Sequence, residues 1–245
     1  MRGRRSATGP ALSSPIRWGE VPKSGGGVRR VAVLSRTDGS TYARSVAGAT
    51  AAIGLGSGAE SHANRVVAWD SIRGPILEPW RQARRRWRSE VLRLVSDARF
   101  VAVTDVRSCY GSISPDVVTD RLRGLGAPED GVREIASWLF VLRDAGVDGL
   151  PVGPAASAVR ADAVLSAGDD AVRATGTAHV RWVDDVAIFA RDARSRAAAL
   201  EALRRTWGSL GLDLHEGKTA LFDGPAGEIL LRGAATSPAA SCPLR

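Results

Sequence analysis

Two adjacent aspartates interrupt an apolar pattern in the segment from His179 to Ala190, which reads HVRWVDDVAIFA. Strand-forming residues flank Asp184 and Asp185 on both sides, so the pattern predicts a hairpin with the two carboxylates at its tip. Neighbouring carboxylates on a rigid ribbon repel each other unless cations neutralise them. A pair of divalent ions about 4 Å apart is a common solution in enzymes that transfer phosphoryl groups. The alternative is an exposed turn without a ligand, and this segment alone does not decide between the two.

A third carboxylate lies upstream, at the end of another short apolar run. The segment from Arg99 to Asp105 reads RFVAVTD and is of strand type. Ser114 and Pro115 then look like the N-cap and first-turn residues of a helix, which leaves Asp105 at a strand end. A two-metal site needs carboxylates from at least two chain segments, and these two segments supply three. The alternative for Asp105 is an ordinary aspartate that terminates a strand.

Four motifs in a fixed order resemble those of the palm domain of reverse transcriptases. They are DVRSCYGSI at Asp105–Ile113, LPVGPAAS at Leu150–Ser157, WVDD at Trp182–Asp185 and LGLDLHEGKT at Leu210–Thr219. Together they cover residues 99–222. Each motif alone is a weak signal, but the ordered set at these spacings is a strong one. The resemblance is greatest to bacterial reverse transcriptases of the defence and abortive-infection kinds.

The resemblance implies a metal site and a general acid. Asp105, Asp184 and Asp185 would hold two Mg²⁺ ions, for which Mn²⁺ is a possible substitute. Lys218 of the fourth motif would donate a proton to the leaving pyrophosphate. A solvated surface lysine is the alternative for Lys218.

Tyr110 and the second motif would contact the incoming nucleotide. By resemblance, an aromatic side chain five residues after the metal-binding Asp105 is a steric gate, which favours deoxynucleotides by excluding a 2′-hydroxyl; an ordinary core tyrosine is the alternative. Val152 and Gly153 occupy the nucleotide-binding part of the second motif. Many members of the family carry Gln where Val152 stands, and Val cannot make the hydrogen bonds of an amide.

The charge is divided unevenly along the chain. Residues 1–100 contain 18 Lys or Arg and 7 Asp or Glu, a net charge of +11, whereas residues 101–245 contain 16 and 19, a net charge of −3. This asymmetry favours a nucleic-acid partner, held by the basic half. Apolar residues at helical spacing over 78–98 predict a helix with a basic face, which either contacts the template or is only solvated. Its candidate nucleic-acid-binding residues are Arg81, Arg84, Arg85 and Arg88, and the candidates for triphosphate contact are Arg30 and Arg36.

The predicted fold class is α+β, a polymerase palm with an antiparallel sheet and helices on one face. Residues 1–27 are predicted to be a disordered basic leader, residues 28–98 a reduced fingers-like region, residues 99–232 the palm and residues 233–245 a disordered tail. We expect no helical thumb.

The predicted function is RNA-directed DNA polymerisation. The expected partners are an RNA template, a nucleic-acid or protein primer, deoxynucleoside triphosphates and a noncoding RNA. The alternative is a truncated, inactive protein of this kind that binds nucleic acid without extending a primer. No apolar stretch is long enough to span a bilayer, so no membrane partner is expected. Cys109 and Cys242 lack metal-ligand spacing and predict a reducing, cytoplasmic setting.

Overall fold

The computed structural model describes residues 10–22, 27–50 and 58–224. Within these ranges the chain combines antiparallel sheets with helices, in agreement with the predicted α+β class. The strands are β1 (Arg17–Pro22), β2 (Val28–Val33), β3 (Val66–Asp70), β4 (Gly74–Leu77), β5 (Phe100–Thr104), β6 (Ala178–Trp182), β7 (Asp185–Ala190) and β8 (Ala220–Asp223). The helices are α1 (Arg36–Arg44), α2 (Ala47–Thr50), α3 (Trp80–Val95), α4 (Cys109–Ser112), α5 (Pro115–Gly124), α6 (Glu129–Asp144), α7 (Ala155–Ala174) and α8 (Ala193–Ser209).

The central sheet has four strands in the order β6-β7-β5-β8, and each strand pairs antiparallel with its neighbour. It contains the strands that were predicted around Asp105 and on both sides of the aspartate pair. The last strand, β8, begins at Ala220. The residues before it, Glu216–Lys218, form a short 3-10 turn.

Helices cover both faces of this sheet, which corrects the prediction of helices on one face only. Ala102 and Ile188 point into the main core, where α7 and α8 pack. Val101 and Phe189 point to the opposite face and pack with Val91 of α3. The physical reason is that β5 and β7 are apolar at nearly every position, so both of their faces have to be buried.

The part of the chain before α3 forms two small antiparallel hairpins, β1-β2 and β3-β4. Because β1 spans Arg17–Pro22, the prediction of a disordered leader over residues 1–27 is wrong for these residues. Residues 1–9 and 23–26 of that leader and the predicted tail at 233–245 lie outside the described residues. Among the described helices, none combines the length and the apolar character needed to cross a membrane.

Residues 60–62 extend the central sheet beyond β6. The Arg181 N–H donates to the Glu60 carbonyl at 2.8 Å, and the His62 N–H donates to the Arg181 carbonyl at 3.0 Å. Ser61 lies beside Arg181 as a parallel bridge. This segment therefore covers the β6 edge and ties the first half of the chain to the sheet.

His62 is 3% exposed and is held by Arg86, whose Nε donates to His62 Nδ1 at 3.3 Å. Burial, together with the charges of Arg86 and Arg65, lowers the His62 pKa from 6.5 to about 4. The folded protein therefore resists protonation of His62 while the unfolded chain accepts it, so stability is lost as the pH falls from about 6.5 to about 4.

Between pH 7 and pH 4.5, we expect the free energy of unfolding to fall by about 2 kcal/mol less in His62→Gln than in the parent. Urea unfolding at the two pH values measures this difference. Glutamine does not titrate in this range, so the difference between the two proteins isolates the proton uptake of His62. Equal losses in the parent and His62→Gln would contradict the assignment.

Candidate active site

The hairpin between β6 and β7 carries the aspartate pair at its tip. Trp182 pairs with Asp185, so Val183 and Asp184 are the two loop residues. Val183 has a φ of 58°, in the left-handed region that a β-branched side chain rarely adopts. Such a conformation costs on the order of 1–3 kcal/mol and persists only where surrounding contacts hold it. The tip is therefore a strained turn, as is common at functional sites.

The register of the sheet brings Asp105 beside this hairpin. Thr104 pairs with Val186, and Asp105 and Asp185 are the next residues beyond that pair. Directly opposed residues of antiparallel strands lie about 5 Å apart between Cα atoms. The structure thus places the three predicted metal ligands at one end of the sheet.

The fourth motif folds back onto the first at the same end. Leu214 forms an antiparallel bridge with Val106, and the His215 N–H donates to the Asp105 carbonyl at 2.8 Å. The 3-10 turn that follows carries Lys218, whose ammonium forms an ion pair with Asp105 Oδ2. Three separated segments of the sequence therefore contribute to one cluster of carboxylates and one lysine.

Burial and mutual repulsion disfavour the charged forms of two carboxylates in this cluster. Burial raises the pKa of Asp184, and the charge of Asp105 raises it further. Asp185 is exposed as a residue, yet its carboxyl is sufficiently desolvated, and close enough to Asp184 and Asp105, for its pKa to rise to about 7. The hydrogen bond to Asp105 raises the Lys218 pKa, which keeps the ammonium charged. The cluster would gain from further cations.

The donor set suits a hard cation, but the described residues do not hold a ready-made metal cage. Asp105 Oδ1 is buried and has no hydrogen-bond partner within the described part of the chain. Carboxylate oxygens are the ligands that Mg²⁺ prefers. Among the described residues, however, no group of three or more His, Cys, Asp or Glu side chains is arranged to hold a metal. Lys218 occupies Asp105 Oδ2 instead.

The second motif packs directly on the first. The Leu150 N–H donates to the Tyr110 carbonyl at 2.7 Å. Gly149 has a φ of 60°, and a Cβ there would lie 2.2 Å from that same carbonyl oxygen, so only glycine fits. Tyr110 is half-buried, and desolvation raises its pKa. Val152 is half-buried and Gly153 is exposed, in the loop that leads into α7.

The alternation of side chains along β2 places Arg29 and Arg30 on opposite faces of the β1-β2 hairpin. The Arg30 guanidinium lies over the Trp18 ring, 3.7 Å from its centroid. Arg29 lies on the opposite face of β2, and its charge lowers the Asp184 pKa. Arg36 is exposed at the start of α1. Sequence reasoning named Arg30 and Arg36 and missed Arg29, although the alternation of a strand would have marked it as the other choice.

The four candidate arginines of α3 fall into two groups. Arg81, Arg85 and Arg88 are exposed and follow one another at helical spacing along one stripe. Arg84 lies over two rings, 4.3 Å from the Trp87 centroid and 5.1 Å from that of Trp182. Trp182 is the last residue of β6, directly before the hairpin tip, so Arg84 links α3 to the tip.

Comparison with known proteins gives a distant likeness of shape. No protein-family profile matches the sequence, and no curated protein matches it. A solved structure of telomerase from Candida albicans, in complex with a TWJ fragment of telomeric RNA, is 13% identical with a TM-score of 0.49. The match covers 84% of this chain and 41% of that chain. Similarity at this level identifies neither an activity nor a substrate, which have to be inferred from the side chains themselves.

Proposed function

We propose that the protein is an RNA-directed DNA polymerase that adds deoxynucleotides to a primer. The observation that carries this proposal is the convergence of Asp105, Asp184, Asp185 and Lys218 at one end of the sheet. Three carboxylates at one end of a rigid sheet, next to a protonated lysine, are suited to nucleotidyl transfer.

The chain's own groups have separate parts in this reaction. Asp105 and Asp184 would hold two Mg²⁺ ions with the support of Asp185, and Mn²⁺ could replace them. The bound metals would activate the primer 3′-hydroxyl and neutralise the phosphates. Lys218 carries an ammonium and, once released from Asp105, would deliver a proton to the leaving pyrophosphate. Arg29, whose charge reaches Asp184, would bind the triphosphate.

The contacts around Tyr110 support a deoxynucleotide substrate. Its backbone is fixed by Leu150, and its half-buried ring follows Asp105 along the chain. A fixed aromatic ring at this place would press against a sugar and exclude a 2′-hydroxyl. The second-motif residues Val152 and Gly153 would lie along the base or the template strand.

Primer extension on poly(rA)/oligo(dT) tests the proposal. The full chain should add labelled dTTP when Mg²⁺ or Mn²⁺ is present and should stop when the metal is chelated. Absence of product with either metal, from a protein that is folded and binds the duplex, would overturn the polymerase assignment.

A second function is favoured by the ion pair between Lys218 and Asp105, which occupies an oxygen that a metal would need. On this account the protein binds nucleic acid without extending a primer. It differs in one measurable respect, because RNA binding would then persist while no primer is extended with either Mg²⁺ or Mn²⁺. Whether the protein serves bacterial defence stays a prediction from the resemblance of the motifs.

The exposed stripe of α3 is proposed to hold the phosphate backbone of the template. Replacing Arg81, Arg85 and Arg88 with Gln should make the dependence of log affinity on log salt shallower by about 2, since each single-strand contact adds about 0.7. Sequence preference should not change, because phosphate contacts position a strand without reading bases.

A control with the same loss of charge uses residues around α8, which packs on the opposite face of the sheet. Replacing Arg191, Arg194 and Arg205 with Gln should leave the slope at the parental value. Fluorescence anisotropy of a labelled single-stranded RNA at several salt concentrations measures both slopes. Equal slopes in the two variants would show that the α3 stripe is only a solvated face.

A further inference from the structure

Arg181 is fully buried beneath the aspartate hairpin, and each nitrogen of its guanidinium donates a hydrogen bond. Its Nε donates to Asp169 Oδ1 at 2.9 Å, and its Nη2 donates to Asp169 Oδ2 at 2.7 Å and to Asp162 Oδ1 at 2.8 Å. Its Nη1 donates to the Val183 carbonyl at 2.8 Å. The side chain therefore joins two buried carboxylates to the backbone of the hairpin tip.

Both carboxylates are on α7, seven residues apart and on the same side of the helix. Asp162 also accepts a hydrogen bond from the Ser61 hydroxyl at 2.9 Å, within the segment that extends the sheet. These hydrogen bonds thus anchor the hairpin tip to helix α7 and to the sheet edge that residues 60–62 cover. A lysine could not reproduce this arrangement, since it lacks the planar fork of donors.

The residue that Arg181 grips is the strained one. Val183 has a φ of 58°, and the bond from Arg181 Nη1 to its carbonyl holds the turn in that conformation. The next residue is Asp184, so the orientation of the peptide between Val183 and Asp184 determines the position of the Asp184 side chain.

We infer that Arg181 is a positioning residue, which holds the Val183–Asp184 turn against α7 so that Asp184 faces Asp105. This inference rests on the proposed function for its catalytic meaning, but the clamp itself is a property of the fold. Residues that orient metal ligands in this way commonly change metal affinity by about 10- to 100-fold when they are altered.

The test compares Arg181→Lys with a matched control, Arg196→Lys. Arg196 is also a buried arginine, and it pairs with Asp223 and the Phe222 carbonyl at the other edge of the sheet. Amide hydrogen exchange, followed by mass spectrometry, is measured over residues 182–186 in the full chain. Arg181→Lys should exchange several-fold faster there than the parent, and Arg196→Lys should match the parent. Unchanged exchange at the tip in folded Arg181→Lys would overturn the inference, whatever the activity.

Val183→Gly separates a clamp from a general loss of stability. Glycine adopts a positive φ without the steric penalty, so the turn should depend less on Arg181. In the double variant, exchange at 182–186 should return toward the parental rate. A tip that stays fast with glycine would count against the clamp.

The metal readout is independent of the exchange readout. Binding of Mn²⁺ alone, followed by electron paramagnetic resonance, should weaken by about 10- to 100-fold in Arg181→Lys and should recover in part with Val183→Gly. Parental protein that binds no Mn²⁺, with the exchange pattern as expected, would refute the proposed function while supporting the clamp. Parental binding that Arg181→Lys leaves unchanged would refute the positioning of Asp184.

Discussion

Asp184→Asn should abolish nucleotide incorporation while leaving RNA binding unchanged. The substitution keeps the shape of the side chain and removes the negative charge that would hold the metals. Loss of about 4 kcal/mol of transition-state stabilisation corresponds to a rate decrease of about 10³-fold. Primer extension with labelled dTTP measures the rate, and anisotropy of a labelled RNA measures binding.

The same substitution should not destabilise the fold. Burial and Asp105 both disfavour the charged form of Asp184. Removing this negative charge therefore relieves repulsion in the protein without metal. We expect the Tm of Asp184→Asn to equal or exceed that of the parent. Asp213→Asn, an exposed change in the nearby fourth motif, is the control and should retain full activity. If incorporation and RNA binding disappear together in Asp184→Asn, the aspartate has a structural role instead.

Tyr110→Ala should allow ribonucleotides to compete with deoxynucleotides. Removing the ring removes the clash with the 2′-hydroxyl, and discrimination between dUTP and UTP should fall by about 10²-fold, the usual limit for rejecting one extra hydroxyl by shape. The ratio of kcat/KM for the two nucleotides is the quantity to measure.

Tyr110→Phe is the matched control, since it keeps the ring and loses only the hydroxyl. It should discriminate as the parent does. Unchanged discrimination in Tyr110→Ala would mean that Tyr110 is a core residue with no contact to the sugar. A decrease in Tyr110→Phe equal to that in Tyr110→Ala would point to a hydrogen bond in place of a steric clash.

Local patterns predicted much of the second half of the chain. The apolar run before Asp105 and the runs around Asp184 and Asp185 became β5, β6 and β7, since strand preference and burial agree there. The helix predicted to start at Ser114 and Pro115 is α5. Pro115 lies in the first turn of α5, and the Ser114 hydroxyl caps it by accepting from the Val117 N–H.

Contacts between distant segments could not be predicted in the same way. Nothing in the local sequence shows that Arg181 reaches Asp162 and Asp169, because those partners are brought near only when α7 packs on the sheet. The choice between Arg29 and Arg30 likewise depends on which face of β2 turns toward the hairpin. The helical cover over both sheet faces was missed although the continuous apolar runs of β5 and β7 indicated it.

Anomalous diffraction from crystals grown with Mn²⁺, a primer–template and a non-hydrolysable deoxynucleotide tests the central claim most directly. The claim is that Asp105, Asp184 and Asp185 form one metal site for nucleotidyl transfer. The account predicts two anomalous peaks about 4 Å apart, contacted by Asp105 and Asp184, with Lys218 released from Asp105. Absence of peaks among these carboxylates, with Lys218 still paired to Asp105 and nucleic acid bound, would contradict it.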